Sequence, residues 1–274
     1  MSAAAATGRF AGKKVIITGA AGVYGRELSH AFAEAGASLC LVDRDRAALD
    51  RFAAGLALPA ERIMAAYIDL SDEAAIKELA RAIEARWQAP DIVVNNAGIY
   101  PFGGLFEIDG AEWDRVLRLN LKAPFLMMQA LARQMIVKGV KGSFVNISSG
   151  AADFLRTNAI PYCVSKRGLE YLTQAFAIEL APYGIRVNAA RPGFAEGSTA
   201  VTWPPGYIEA ITKHNPMRRV SQPGDLAGAV MFLASDDAAY VTGDTIAADG
   251  GSSIPRRMGA ATEGKRPGLP EPPA

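Results

Sequence analysis

The chain has 274 residues, 50% hydrophobic content and a formal net charge of +1, enough to bury the core of one globular unit. Its charges of both signs are interspersed, which excludes a basic stripe for nucleic acid, and no apolar run is long enough to span a membrane. Cys40 and Cys163 lack metal-ligand spacing and a disulfide framework, and the alanine-rich start, Met1 to Arg9, lacks the basic and apolar regions of a secretory signal, so the reading is a soluble, cytoplasmic protein that acts on small molecules without a metal.

In chain order, a flexible start (1–11) precedes the apolar run Val15–Ile17, which passes through the turn Thr18-Gly19-Ala20-Ala21-Gly22-Val23-Tyr24-Gly25 into a helical pattern over Arg26–Ala35. Strand, glycine-spaced turn and helix is the context in which N–H groups at a helix N-terminus hold a dinucleotide pyrophosphate. Gly19, Gly22, Tyr24 and Gly25 are the candidate contacts. A second run, Leu39–Val42, closes on Asp43, 18 positions after Gly25, where a carboxylate accepts hydrogen bonds from the adenosine ribose hydroxyls and repels a 2′-phosphate. That favours NAD. Arg44 and Arg46 keep NADP open as the less favoured cofactor, because a guanidinium beside the carboxylate accommodates the phosphate.

Helix Arg46–Ala54, strand Ile63–Tyr67, helix Asp72–Trp87, strand Ile92–Val94 and one long helix, Ala111–Lys138, follow. Strand Phe144–Ile147, helix Tyr162–Ala181, strand Ile185–Ala189, helix Asp225–Leu233 and strand Asp244–Ala247 complete the order. Short apolar runs bounded by Gly, Asp, Asn or Pro read as buried parallel strands. Right-handed crossovers then build an α/β, doubly wound (Rossmann) parallel sheet of about seven strands, flanked by helices on both faces. Within a single catalytic domain, 12–254, the segment Gly193–Arg219 breaks the alternation and reads as a substrate lobe, with an ordinary surface excursion as the alternative. Residues 255–274 form a Pro-rich tail expected to fold weakly or only against a partner.

Tyr162 and Lys166 stand four residues apart at a helix start, hence on one face. A phenol is a poor acid/base at neutral pH, and a nearby ammonium is expected to move its pKa toward the working range. The strand ending at Ile147 runs into Ser148-Ser149, 13 positions before Tyr162. A serine hydroxyl there can hold a carbonyl or alcohol oxygen beside the phenol, and Ser149 is the choice, with Ser148 serving the turn.

The glycine turn, Asp69-Leu70, Asn95-Asn96-Ala97-Gly98, Asn120, Ser149, Tyr162-x-x-x-Lys166, Pro192-Gly193 and Asp249-Gly250-Gly251 together resemble the short-chain dehydrogenase/reductase family, over Gly12 to Gly251. The resemblance implies that Tyr162 is the catalytic acid/base, that Lys166 lowers its pKa and holds the nicotinamide ribose, and that Ser149 orients the reacting oxygen. Asn120 would anchor a water that continues a proton relay; read by residue type alone it would satisfy local main chain. Asp69 and Leu70 would lie near the adenine, Asn96 to Gly98 along the cofactor, and the main chain from Pro192 through Gly193 to Ala195 against the carboxamide. A homotetramer or homodimer is also implied, with the Ala111 and Tyr162 helices forming an interface. Two positions depart from the family pattern. Glycine falls at Gly22 with Val23 after it, the spacing of the extended branch, and Gly197, followed by Ser198-Thr199, stands where a threonine is common.

Tyr100, Phe154, Phe194 and Trp203 are the candidate substrate pocket, with Arg156 and Asn158 as polar exceptions. Such a pocket suits an alicyclic or aromatic alcohol and its ketone. An extended-type sugar-nucleotide epimerase or dehydratase, suggested by Gly22, and a non-catalytic dinucleotide-binding sensor or scaffold are the alternatives.

Overall fold

A computed structural model describes residues 8–196 and 205–254. The strands are β1 (Lys14–Thr18), β2 (Ser38–Asp43), β3 (Ile63–Tyr67), β4 (Ile92–Asn95), β5 (Ser143–Ile147), β6 (Arg186–Pro192) and β7 (Thr245–Ala248). They form one parallel sheet in the order β3-β2-β1-β4-β5-β6-β7. Helices α1 (Val23–Glu34), α2 (Arg46–Gly55), α3 (Glu73–Trp87), α4 (Gly110–Leu117), α5 (Ala123–Lys138), α6 (Ile160–Leu180), α7 (Tyr207–His214) and α8 (Asp225–Ala234) connect them.

The alternation of side chains along each strand assigns the helices to faces. Val15 and Ile17 pack on one side with Leu28 and Phe32 of α1, Leu49 of α2 and Val230 of α8. Ile16, Val93 and Phe144 point the other way, onto Ile76 and Leu79 of α3, Met127 and Leu131 of α5, and Ala177 of α6. Both faces of the sheet are therefore buried, which is why its strands read as continuous apolar runs. Local signals place the helix starts: Asp45 accepts from Ala48 N at 2.9 Å and Asp72 from Ala74 N at 2.8 Å.

Two elements differ from the sequence reading. The long helix is interrupted over Arg118–Lys122 by one turn of π-helix, in which Ala123 N donates to Arg118 O. The extra residue rotates Asn120 out of the helix pattern and into the sheet's carboxyl edge. Helix α7 was hidden by Pro204, Pro205 and Gly206; the glycine enters it at φ +77°, a left-handed entry that leaves the apolar spacing Tyr207, Ile208, Ile211 free to wind. The first seven residues, the segment 197–204 and the tail lie outside the described residues.

Candidate active site

The carboxyl ends of β1, β2, β4, β5 and β6 open into a cleft of about 500 Å³, where an open α/β sheet places its ligands. Its floor begins at the glycine turn. Gly19 adopts φ +65°, and a Cβ there would sit 2.9 Å from Ala97 Cα. Gly25 is stricter: a Cβ would fall 2.0 Å from Gly19 O and 2.7 Å from Ala20 Cα, so only glycine lets α1 close onto the turn. Gly22 caps α1 with extended backbone (φ −77°), no side-chain cap and no acidic residue in the first turn. An uncapped helix N-terminus on a cleft wall is a fit for the pyrophosphate of a dinucleotide.

Thr18 ties this turn to the next strand. Its Oγ1 accepts from Asn96 N at 2.9 Å and Ala97 N at 3.0 Å, and the Asn96 side chain donates back to Thr18 O at 2.9 Å and Gly19 O at 3.1 Å. Asp43 is held at the end of β2 by Ala21 N and Asp45 N, each at 3.0 Å. Beyond it the main-chain N–H of Ser71 holds the Asp69 carboxyl below the usual carboxylate range. Arg46 lies 3.7 Å over the Tyr67 ring, while Arg44 lines the cleft. Tyr24 closes the opposite wall through a 2.7 Å bond from its hydroxyl to Gly193 O, and burial pushes that phenol well above its ordinary pKa.

At the other end, the parallel pairing of β4, β5 and β6 brings Asn96, Ser149 and Pro192 to one rim, and α6 lays Tyr162 and Lys166 beneath it. The Lys166 ammonium is buried, donates to Ile147 O at 2.8 Å and lies 5.8 Å from the Tyr162 ring centre. Gly98 of the cleft wall lies next to it, a Cβ there standing 3.6 Å from Lys166 Nζ, an ordinary contact. Burial pushes the lysine down to about 8, and the Glu170 carboxylate opposes that shift.

Burial likewise raises the Tyr162 phenol, and its hydrogen-bond partner Ser149 and the nearby Arg156 guanidinium draw it back only partly. The expected lowering of this pKa is thus not achieved by the protein's own side chains, because desolvation of the phenolate outweighs them. Asn120 is buried and committed: Oδ1 accepts from Ile99 N at 2.9 Å, and Nδ2 donates to Ile99 O at 2.8 Å and Ser165 Oγ at 3.1 Å. Its side chain clamps the loop after β4 at Ile99 instead of satisfying its own helix.

The cleft lining gathers Gly19, Gly22, Tyr24, Asp43, Asp69, Leu70, Asn96, Gly98, Tyr100, Ser149, Tyr162, Pro192, Gly193, Phe194 and Ala195. Gly25, Asn120 and Lys166 stand behind the wall as supports. Phe154 lies outside the lining, exposed on the loop after β5, and Trp203, Gly197, Ser198 and Thr199 lie outside the described residues. Residue-type reasoning missed an ionic cluster behind the rim, buried at Glu170 and reaching the surface at Asp153 and Arg167. Glu170 accepts from Ser148 Oγ at 2.6 Å and from Arg191 through two bonds of 2.6 Å each. Arg191 also pairs with Asp153, which Arg167 meets at 3.3 Å. Glu170 follows Lys166 by one helical turn, the one sequence signal that could have pointed to it.

Residues 19–253 match the family model described as enoyl-(acyl carrier protein) reductase. The chain is 38% identical over 252 residues to a galactitol 2-dehydrogenase (L-tagatose-forming) of Cereibacter sphaeroides, covering 90% of this chain and 97% of that one. A gluconate 5-dehydrogenase from Burkholderia cenocepacia J2315, solved with NADP and tartrate, superposes with a TM-score of 0.82 at 32% identity, over 92% of this chain and 100% of that one. A short-chain type dehydrogenase/reductase from Mycobacterium marinum gives 0.81 at 29% identity, over 90% and 97%.

Proposed function

The chain belongs to the short-chain dehydrogenase/reductase family, whose members use NAD or NADP, and is an oxidoreductase of secondary alcohols; on that premise we propose that it interconverts an alicyclic or aromatic alcohol and its ketone with NAD, Tyr162 being the acid/base. The observation that carries the reading is the placement of Tyr162 and Ser149 on one wall of a cleft whose opposite end is the Gly19 turn, with Lys166 buried behind that wall.

When bound, the nicotinamide supplies the hydride acceptor or donor, and its oxidised ring a positive charge. The Gly19–Gly25 turn and the α1 N-terminus would hold the pyrophosphate, and Asp43 the adenosine ribose. Ser149 holds the reacting oxygen, and Tyr162 takes its proton in oxidation or returns it in reduction. Lys166 keeps a cation under the phenol's edge, and Asn120 positions the wall through Ile99. NAD is preferred because Asp43 is pinned facing the glycine turn and Arg46 is engaged by Tyr67. Tyr100, Phe102 and Phe194 supply the apolar walls.

Turnover followed as NADH formation with cyclic and aryl secondary alcohols is expected to fall about 10²- to 10⁴-fold in Tyr162→Phe while dinucleotide binding persists. Dinucleotide binding with no turnover of any alcohol or ketone would favour a sensor instead.

The homo-oligomer belongs to the same reading. Phe125, Ile136 and Val137 of α5 and Tyr171 and Ile178 of α6 form an exposed apolar face, a surface suited to a second copy. Light scattering at micromolar concentration should give a dimer or tetramer, and a monomer would refute it. No described helix is long and apolar enough to cross a membrane, in keeping with a cytoplasmic enzyme.

A further inference from the structure

One charged group in the reacting end of the cleft is not used by this chemistry. Among its lining residues, Asp43, Arg44 and Asp69 stand at the end of β2 and β3, whereas Arg156 stands with Ser149, Ala159 and Tyr162. The loop that carries it runs against ordinary burial. Leu155 is 88% exposed and Phe154 faces outward, yet the arginine between Leu155 and Thr157 is drawn in to half-burial. Apolar residues normally take the inside and cations the outside.

The main chain holds this inversion in place. Arg156 N donates to Cys163 Sγ at 3.4 Å. Asn158 takes the left-handed conformation (φ +61°), and its carbonyl accepts from Gly103 N at 2.9 Å across the cleft mouth. A left-handed non-glycine residue costs energy that the surrounding contacts must offset, and such residues cluster at ligand sites.

No partner within the protein accounts for the cation. Among the described residues the Arg156 guanidinium has no hydrogen bond or ion pair. The nearest acid in sequence, Asp153, is taken by Arg191 and Arg167, and Glu170 is taken by Arg191 and Ser148. The ionic cluster behind the rim thus withdraws both local carboxylates and leaves Arg156 as the cation at the reacting end, apart from Arg26 and Arg44, which line the cleft on the side of the glycine turn and β2. A half-desolvated guanidinium presents a planar fork of donors matched to a carboxylate.

We propose that Arg156 is a specificity-determining residue that binds a substrate carboxylate, so that the substrate is a hydroxy acid, or the corresponding oxo acid, with its carbinol against Ser149 and Tyr162. The inference rests on the dehydrogenase reading and narrows its substrate class. A carboxylate fits better than a phosphate, because a single guanidinium balances one charge, and a dianion would call for further donors at that end.

The full-length protein is assayed with 3- and 4-hydroxycyclohexanecarboxylate and with the matching neutral carboxamides. Binding of the oxo acids and oxo amides is measured by calorimetry on the same protein. The acid should be favoured over its amide in kcat/KM by about 10- to 150-fold, carried by KM, as expected for a charge-assisted pair. Arg156→Gln should bring that ratio close to one, and Arg156→Lys should keep part of it. Because each ratio compares two substrates on one variant, any effect of the replacement on Tyr162 cancels, and dinucleotide binding reports folding. An acid-to-amide ratio near one in the natural protein, or a ratio that survives Arg156→Gln, overturns the proposal. If acids, amides and cyclohexanol all fail to turn over, the dehydrogenase reading falls, and the calorimetric preference for oxo acid over oxo amide still decides the role of Arg156.

Discussion

Where the cleft meets β1 and β2, its shape is set by main chain; where it meets β5 and β6, it is set by buried side chains that carry charge. In the first region the working atoms are N–H groups, carbonyls and the absent Cβ atoms of Gly19 and Gly25, bound together by one hydroxyl, Thr18. In the second they are the phenol of Tyr162, the ammonium of Lys166 and the Glu170–Arg191 pair. A backbone-built region tolerates changes of charge and fails on added atoms, because packed main chain cannot yield. A side-chain-built region in low dielectric does the reverse and responds to pH.

The sharpest way to break that contrast is to add one methyl group to the backbone region. Gly25→Ala places a carbon 2.0 Å from Gly19 O, so the turn must open. Dinucleotide affinity is expected to fall about 100-fold and stability by about 1–3 kcal/mol, read by fluorescence titration and thermal unfolding. Normal affinity in this variant would mean that the turn is more compliant than its packing implies.

The second region is tested by pH. Burial lowers Lys166 from its ordinary 10.5 to about 8. Between those values the unfolded chain keeps a proton that the folded chain has released, so unfolding free energy rises with pH. Below about 8 both are protonated, and the cost of the buried ammonium is fully present. The unfolding free energy of the natural protein relative to Lys166→Met should therefore climb across this window, by on the order of 3 kcal/mol. A flat difference would mean that the ammonium is well solvated or fully paired.

The smallest effect is expected at the rim between these behaviours. Asp43→Ser removes a charge held by two main-chain N–H groups without disturbing packing. Preference should shift toward NADP by about tenfold, read as the ratio of kcat/KM for the two cofactors. No shift would assign the choice to Arg44.

Much of the first region is legible in the chain itself. Val15–Ile17, the glycine spacing and Asp43 lie close together in sequence, and strands buried on both faces announce themselves as apolar runs. The Tyr162–Lys166 pair is legible for the same reason, one helical turn joining both groups. The π turn that delivers Asn120 to Ile99 is not, because one extra residue in a helix leaves the apolar pattern nearly unchanged. Helix α7 was masked by the prolines and glycine before it.

The sequence by itself determined the layer architecture, the phosphate-side turn and the acid/base pair, since each depends on residues within a turn or two of one another. Only the tertiary structure decided which charges are satisfied. Glu170 and Asp153 could each have faced the cleft; Arg191, brought in by β6, holds both of them back. Lys166 could have sat against the phenol as a simple ion, yet burial sets its proton affinity and that of Tyr162. Pairing and desolvation are properties of distance between remote segments, and those distances exist only once the sheet has closed.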